Sequence, residues 1–246
     1  MKSQREKYAY GFALEFAIFC IISALISLIL IALMQNFSFP FPNLGASNLT
    51  PITIVLDAGH GGEDGGCESN GLVEKELNLD ITMRLASLLR KQNVNVILTR
   101  ETDELLYDKN SDYEGKKKYQ DVRRRLEIAK EQENPVLVSI HMNFFAQTQY
   151  SGLQVWYSQN NTDSLPLAEI IRKNNAEKLQ SDNTRAIKAA TSSINLLHNA
   201  KCPAVLVECG FLSNVEEAAL FETHEYRQKI ADVIFEAVTK FLQTQV

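Results

Sequence analysis

The stretch IVLDAGHGGEDGG, residues 54–66, decides how this chain is read. An apolar, largely aliphatic run breaks into a turn that holds one histidine and five glycines. A run apolar at successive positions suits a strand buried on both faces, and the glycines turn the chain at that strand's carboxyl end. Similar short runs stand at 94–98, 136–140 and 204–207, with the first spanning 52–56. Segments with helical periodicity at 75–91, 121–132, 165–179 and 225–242 alternate with them. The order predicts an α/β domain, a largely parallel sheet covered by helices, with 152–157 as an extra strand of open direction.

Open parallel sheets gather ligands at the carboxyl ends of their strands. His60 stands there after the first run, His141 after the third in LVSIHMN (137–143), and Glu208 after the fourth in AVLVECGF (204–211). Glu74, in NGLVEKELNL (70–79), starts the first helix and can point back over the same edge. Two histidines and a glutamate are a zinc ligand set, and a carboxylate left over is what a zinc hydrolase uses to move protons. Taken singly, each residue has a blander reading. The GHGG turn could cradle a phosphate on its amides, although no Walker lysine or dinucleotide fingerprint follows it. His141 could be a core imidazole, Glu74 a first-turn acid and Glu208 half of a structural salt bridge. His198 and His224 lack comparable placement and read as surface or groove residues.

The chain has 246 residues, enough for one sizeable core. Residues 16–34, FAIFCIISALISLILIALM, carry no charge and no proline, and their length matches the ~20 apolar residues that cross a bilayer. Lys2, Arg5 and Lys7 precede the run, so the positive-inside bias leaves the N-terminus in the cytoplasm and the rest outside. The expected organisation is a cytoplasmic tip and uncleaved membrane anchor at 1–36, a proline-containing linker at 37–51 and a catalytic domain at 52–246. A cleaved signal sequence is the alternative. Beyond Phe37 the chain holds 22 basic against 28 acidic residues, a net charge of −6, which argues against nucleic acid as a partner. Cys67, Cys202 and Cys209 lie outside the apolar run, an odd set without pairing pattern. Cys202 and Cys209 read as buried thiols and Cys67 as more exposed.

The motifs IVLDAGHGGEDGG, the pair Glu74 and Lys75, LVSIHMN and PAVLVECGFLSN resemble, in order, those of the zinc-dependent N-acetylmuramoyl-L-alanine amidases, which cut stem peptides from peptidoglycan. The resemblance implies a single α/β domain with a mostly parallel sheet of about six strands. It implies one Zn2+ held by His60, Glu74 and His141, with Glu208 as the catalytic glutamate. Asn143, Arg185, Lys188 and Asn214 match positions the family keeps polar and are candidate substrate contacts. His198 stands where relatives often carry arginine. RETDELLYDKNSDYEGKKKYQDVRRRLEIAK (100–130), with the basic run Arg123, Arg124 and Arg125, is similar to the spore-cortex amidases of endospore-forming bacteria. That likeness implies a role in forming cortex muramic lactam and action between the two forespore membranes. With no internal repeat and no segment that looks like a wall-binding module, location near the wall is expected to depend on the membrane anchor or on a protein partner, which could also activate the enzyme. The basic helix could equally be a solvated face. Competing readings are a general autolysin of the same chemistry, another zinc peptidase and an inactive membrane-tethered wall-binding protein.

Overall fold

A computed structural model describes residues 21–23, 51–108, 110 and 116–245. The chain divides into two units, residues 1–48 and 49–246. Of the first, Ile21, Ile22 and Ser23 are described, as exposed helix. The expected anchor otherwise lies outside the described residues, as does the linker up to Pro51. Among the described residues no helix is long and apolar enough to cross a membrane.

The second unit is the expected α/β domain. Its order is β1 (Thr53–Ala58), β2 (Glu68–Ser69), β3 (Leu72–Val73), α1 (Glu74–Lys91), β4 (Asn95–Leu98), α2 (Lys117–Lys130), β5 (Pro135–Asn143), β6 (Gln154–Tyr157), α3 (Ser164–Lys178), β7 (Lys188–Ala189), α4 (Asn195–Asn199), β8 (Ala204–Phe211), α5 (Val215–Glu222) and α6 (His224–Gln243). Six strands form one sheet in the order β4-β1-β5-β8-β6-β7, and β2 and β3 make a small hairpin. All pairings in the large sheet are parallel except β6 with β8. That exception gives the extra strand its direction. The short elements β2, β3, β7, α4 and α5 were not expected, because two- to eight-residue pieces carry too little periodicity to register.

Period-two alternation sends neighbouring residues to opposite faces. Ile54, Leu56, Val136, Val138, Val205 and Val207 meet the larger core with Ile81, Leu85, Ile171, Ile234 and Phe241 from α1, α3 and α6. Val55, Leu137 and Leu206 face a smaller core under α2 and α4. That second face ends early, and polar residues occupy its carboxyl end: Asp57 and Ser139, then His141 and Glu208.

The basic run on α2 is not a uniform solvated face. Arg123 and Arg124 are exposed and paired with Glu127 and Glu131, whereas Arg125 turns inward and is buried. Arg125 Nη1 donates to Asp57 Oδ1 at 2.6 Å and Nε to Asp121 Oδ2 at 2.7 Å. Ser139 and Thr99 hydroxyls donate to the remaining Asp57 positions at 2.5 and 2.7 Å. Burial alone would raise the Asp57 carboxyl, but the Arg125 charge and these hydrogen bonds outweigh it and hold it down to about 2.

A depressed carboxyl stabilises the fold above its unfolded value of about 4, and that contribution is lost as pH falls from about 4 to about 2. Asp57→Asn leaves Arg125 buried with a partner missing and is expected to lower stability by about 3 kcal/mol at neutral pH. Urea unfolding should show the difference between wild type and variant shrinking as pH approaches 2. A difference unchanged across that range would refute the pairing.

Candidate active site

The loop after β1 is bound down by two buried guanidiniums. Arg125 donates to Ala58 O at 2.7 Å and His60 O at 2.8 Å, and Arg100 to Ala58 O at 2.8 Å and Gly59 O at 3.1 Å. Three successive carbonyls are thereby held from behind. The loop amides are also used: Gly62 N donates to Asp103 Oδ1 at 2.7 Å and Gly61 N to Asp64 O at 2.9 Å. A phosphate cradle would need such groups free. His60 itself has φ +62°, a left-handed conformation rare outside glycine, and it persists because its neighbours over-determine it.

His60 Nδ1 lies 2.9 Å from Asp64 Oδ2, which directs Nε2 inward toward Glu74 Oε1 at 3.2 Å. Glu74 is the first residue of α1 and buried. Its Oε1 also lies 2.9 Å from His141 Nδ1 and accepts from Met142 N at 3.1 Å, where the β5–β8 register shifts. Its Oε2 accepts from Cys67 N at 2.8 Å. Burial would raise the Glu74 carboxyl, but its hydrogen bonds to His141 and His60 and their charges keep it well below the usual range. Burial would lower His60, but Glu74 and Asp64 outweigh it and raise it.

One donor atom from each of His60, Glu74 and His141 lies within 4.8 Å of the others. The two separations of 2.9 and 3.2 Å are close to the ~3.3 Å between ligands of a tetrahedral zinc with bonds of ~2.0–2.1 Å. The carboxylate behind His60 is the usual companion of a ligating imidazole. The donor set therefore fits Zn2+. Two glycines leave room for it: a Cβ on Gly59 would fall 2.1 Å from His141 Nε2, and one on Gly66 2.5 Å from Glu74 Oε2.

Glu208 pairs directly with His141 across β5 and β8, so both side chains leave the same face. Its Oε2 is buried and has no hydrogen-bond partner among the described residues. Burial, with repulsion from Glu74, pushes its carboxyl up to about 8.

The four central residues are thus brought together. Asn143 ends β5 two residues past His141 and, with Arg185 and Lys188, lines an adjoining cleft. Asn214 is engaged by the protein: its Oδ1 accepts from Glu217 N at 2.9 Å as the cap of α5, and its Nδ2 donates to Thr148 O at 2.9 Å. His224 accepts from Arg84 and Arg227 at the surface, while His198 is exposed on α4. The three described cysteines are free; Cys209 is buried as expected, but Cys202 is only half-buried, because it sits in the turn before β8 beside a cleft. Asp57, Asp64 and Arg100 support the site and were not singled out from the sequence, and Arg125, which supports it too, was named only as one of the basic run on α2. For the two arginines the available signal was the clustering of charge in 100–130, which alone does not say which guanidinium turns inward.

Asp64→Ala removes the carboxylate that orients His60 and is expected to weaken zinc binding about 10- to 100-fold without unfolding the domain. Isothermal titration calorimetry with zinc, beside a circular dichroism spectrum, checks this. Unchanged affinity would remove Asp64 from the support of the site.

The chain matches the Amidase_3 family, N-acetylmuramoyl-L-alanine amidase, over residues 54–240. It is 31% identical over 188 residues to a germination-specific N-acetylmuramoyl-L-alanine amidase of Bacillus subtilis, covering 76% of this chain and 78% of the relative. Among solved structures it is similar to the CwlD amidase from Clostridioides difficile in complex with the GerS lipoprotein, with a TM-score of 0.73 and 36% identity over 78% of this chain and 98% of that one. AmiC2 of Nostoc punctiforme gives a TM-score of 0.67 at 28% identity, over 78% of this chain and 97% of that one. With the fold, the motif order and these likenesses in agreement, the chain belongs to the family of N-acetylmuramoyl-L-alanine amidases, enzymes that hydrolyse the amide between muramic acid and the stem peptide of peptidoglycan.

Proposed function

We propose that this amidase is zinc-dependent, with His60, Glu74 and His141 as ligands of one Zn2+ and Glu208 as its proton carrier. The observation that supports the reading is three donors within 4.8 Å beside a buried carboxylate oxygen that has no hydrogen-bond partner among the described residues. When bound, the ion supplies Lewis-acid chemistry, bringing the pKa of water to about 7 and polarising a carbonyl.

Glu208 Oε2 takes the proton of the attacking water as its oxygen bonds to the lactyl carbonyl carbon. An amide anion is a poor leaving group, so the departing L-alanine nitrogen needs a proton as the C–N bond breaks. Glu208 returns the one it took. Asp64 keeps the His60 ring in register through Nδ1, and Met142 N and Cys67 N hold the Glu74 carboxylate. Asn143, Arg185 and Lys188 offer polar contacts to the glycan-peptide, with Asn214 capping the helix behind them.

The reading extends to the spore cortex, supported by the likeness to the germination-specific relative and to CwlD. Release of the peptide leaves muramic acid ready for a separate deacetylation and closure to the lactam. Residues 16–34 serve as a membrane anchor with the catalytic domain outside the cytoplasm, between the forespore membranes. A lipoprotein partner is part of this reading, supported by the likeness to CwlD, whose structure is a complex with the GerS lipoprotein.

Glu208→Ala is expected to retain zinc and lose at least a hundredfold in turnover. Digestion of peptidoglycan fragments by the zinc-supplied protein, followed by mass spectrometry, should give intact stem peptides with a free L-alanine amine. Cuts inside the peptide would move the chain to the peptidase reading, and full activity in the variant would remove Glu208 from the mechanism. Deleting residues 1–36 should shift the protein from the membrane to the soluble fraction; no shift would dismiss the anchor.

A further inference from the structure

The face that carries His141 and Glu208 continues beyond them into a second chemical environment. Direct cross-strand partners put His141, Glu208 and Gln154 in one row over β5, β8 and β6. Two positions away on the same face, Leu206, Trp156 and Lys188 form another row over β8, β6 and β7. Beside these rows lies a cavity of about 450 Å³ with Phe145, Tyr150, Trp156 and Phe211 as walls.

Two cations line it. The Arg185 guanidinium carbon lies 4.5 Å from the Phe211 ring centre and 5.6 Å from that of Tyr150, and Lys188 Nζ lies 5.0 Å from that of Trp156. Arg185 Nε donates to Ser151 O at 2.7 Å, which fixes the direction of the guanidinium fork. Its terminal nitrogens and Lys188 Nζ have no hydrogen-bond or ion-pair partner among the described residues. The acid whose charge Arg185 senses, Glu217, is occupied: its carboxylate accepts from Gly152 N at 3.0 Å and Phe211 N at 2.7 Å. In a domain of net charge −6, two cations on aromatic walls without a carboxylate between them form one half of a charge-assisted contact.

The substrate's own chemistry offers the other half. In the stem peptide the residue after L-alanine is a glutamate joined through its side-chain carboxyl, so its α-carboxylate hangs free one residue beyond the amide that is cut. Two extended residues span about 7 Å. Neighbouring strands are about 4.8 Å apart, so a peptide with its scissile amide at Glu208 on β8 reaches over β6 toward the side chains of Arg185 and Lys188.

We propose that Arg185 and Lys188 form a carboxylate subsite for the second stem residue, and that it makes the enzyme select stems in which this carboxylate is free over stems in which it is amidated. The inference rests on the amidase reading of the neighbouring site. Losing a charge-assisted hydrogen bond weakens recognition by about tenfold or more.

The test compares two muramyl peptides, one with the free α-carboxylate and one with its carboxamide, as substrates of the zinc-supplied full chain. The acid should exceed the amide in kcat/KM by about tenfold or more, mainly through KM. That ratio should fall toward one in the double variant Arg185→Gln/Lys188→Gln, with Lys188→Gln alone in between. A ratio is internal to each protein, so partial loss of folded enzyme does not alter it. Equal use of both substrates by the wild type, or a ratio that survives in the double variant, would overturn the subsite. Cleavage of neither substrate by the wild type would sink the amidase reading and the subsite with it.

Discussion

Most of this site depends on one buried guanidinium. Arg125 spans Asp57, Asp121 and the carbonyls of Ala58 and His60, so a single side chain ties β1 to α2 and to the loop that carries the first histidine. Burying such a charge is expensive, and an ion pair in the interior is weak evidence of net stabilisation. What it provides here is geometry. A carbonyl in the interior must be paired, and a fork with five N–H donors can satisfy several at fixed angles where an ammonium could not. Arg100 completes the arrangement from the other side, reaching Ala58 O, Gly59 O and Lys75 O.

Close approach is the second constraint. The His141 ring packs where a side chain on Gly59 would be, and Gly66 with φ +72° yields its space to Glu74. Removing Cβ atoms at these two points lets His60, Glu74 and His141 converge from β1, α1 and β5. The left-handed His60 between them is strained, and the strain is met by hydrogen bonds at its ring and its carbonyl. Donors held this way need little rearrangement to accept a metal.

The sheet also explains why the ligand-like cluster and the cation-lined cleft lie side by side. On one face α2 and α4 cover Val55, Leu137 and Leu206, and Arg125 of α2 still covers Asp57 and Ser139 beyond them. His141 and Glu208 lie one step further on and are only half-buried, and β6, antiparallel to β8, sets Gln154 beside Glu208 and Trp156 beside Leu206 on the same face. Aromatic walls and cations therefore begin within one strand spacing of Glu208.

The sequence by itself determined the alternation of buried strands and amphipathic helices, because apolar runs and 3.6-residue periodicity are local signals. It also put His60, His141 and Glu208 on one edge, since strand ends in a parallel sheet fall together whatever the details. Glu74, at the start of α1, was legible from the company it keeps and from the family resemblance. Helix limits shifted by a few residues, most at α2, which starts at Lys117 rather than 121, because its first turn is polar and exposed. Only the tertiary structure decided which member of the run Arg123–Arg125 is buried, since three adjacent arginines are alike in sequence and differ only in the direction each leaves the helix. It also decided the direction of β6, the capping task of Asn214 and the meeting of Arg185 with Lys188. These depend on contacts between residues distant along the chain, and no local pattern encodes which pairs will meet.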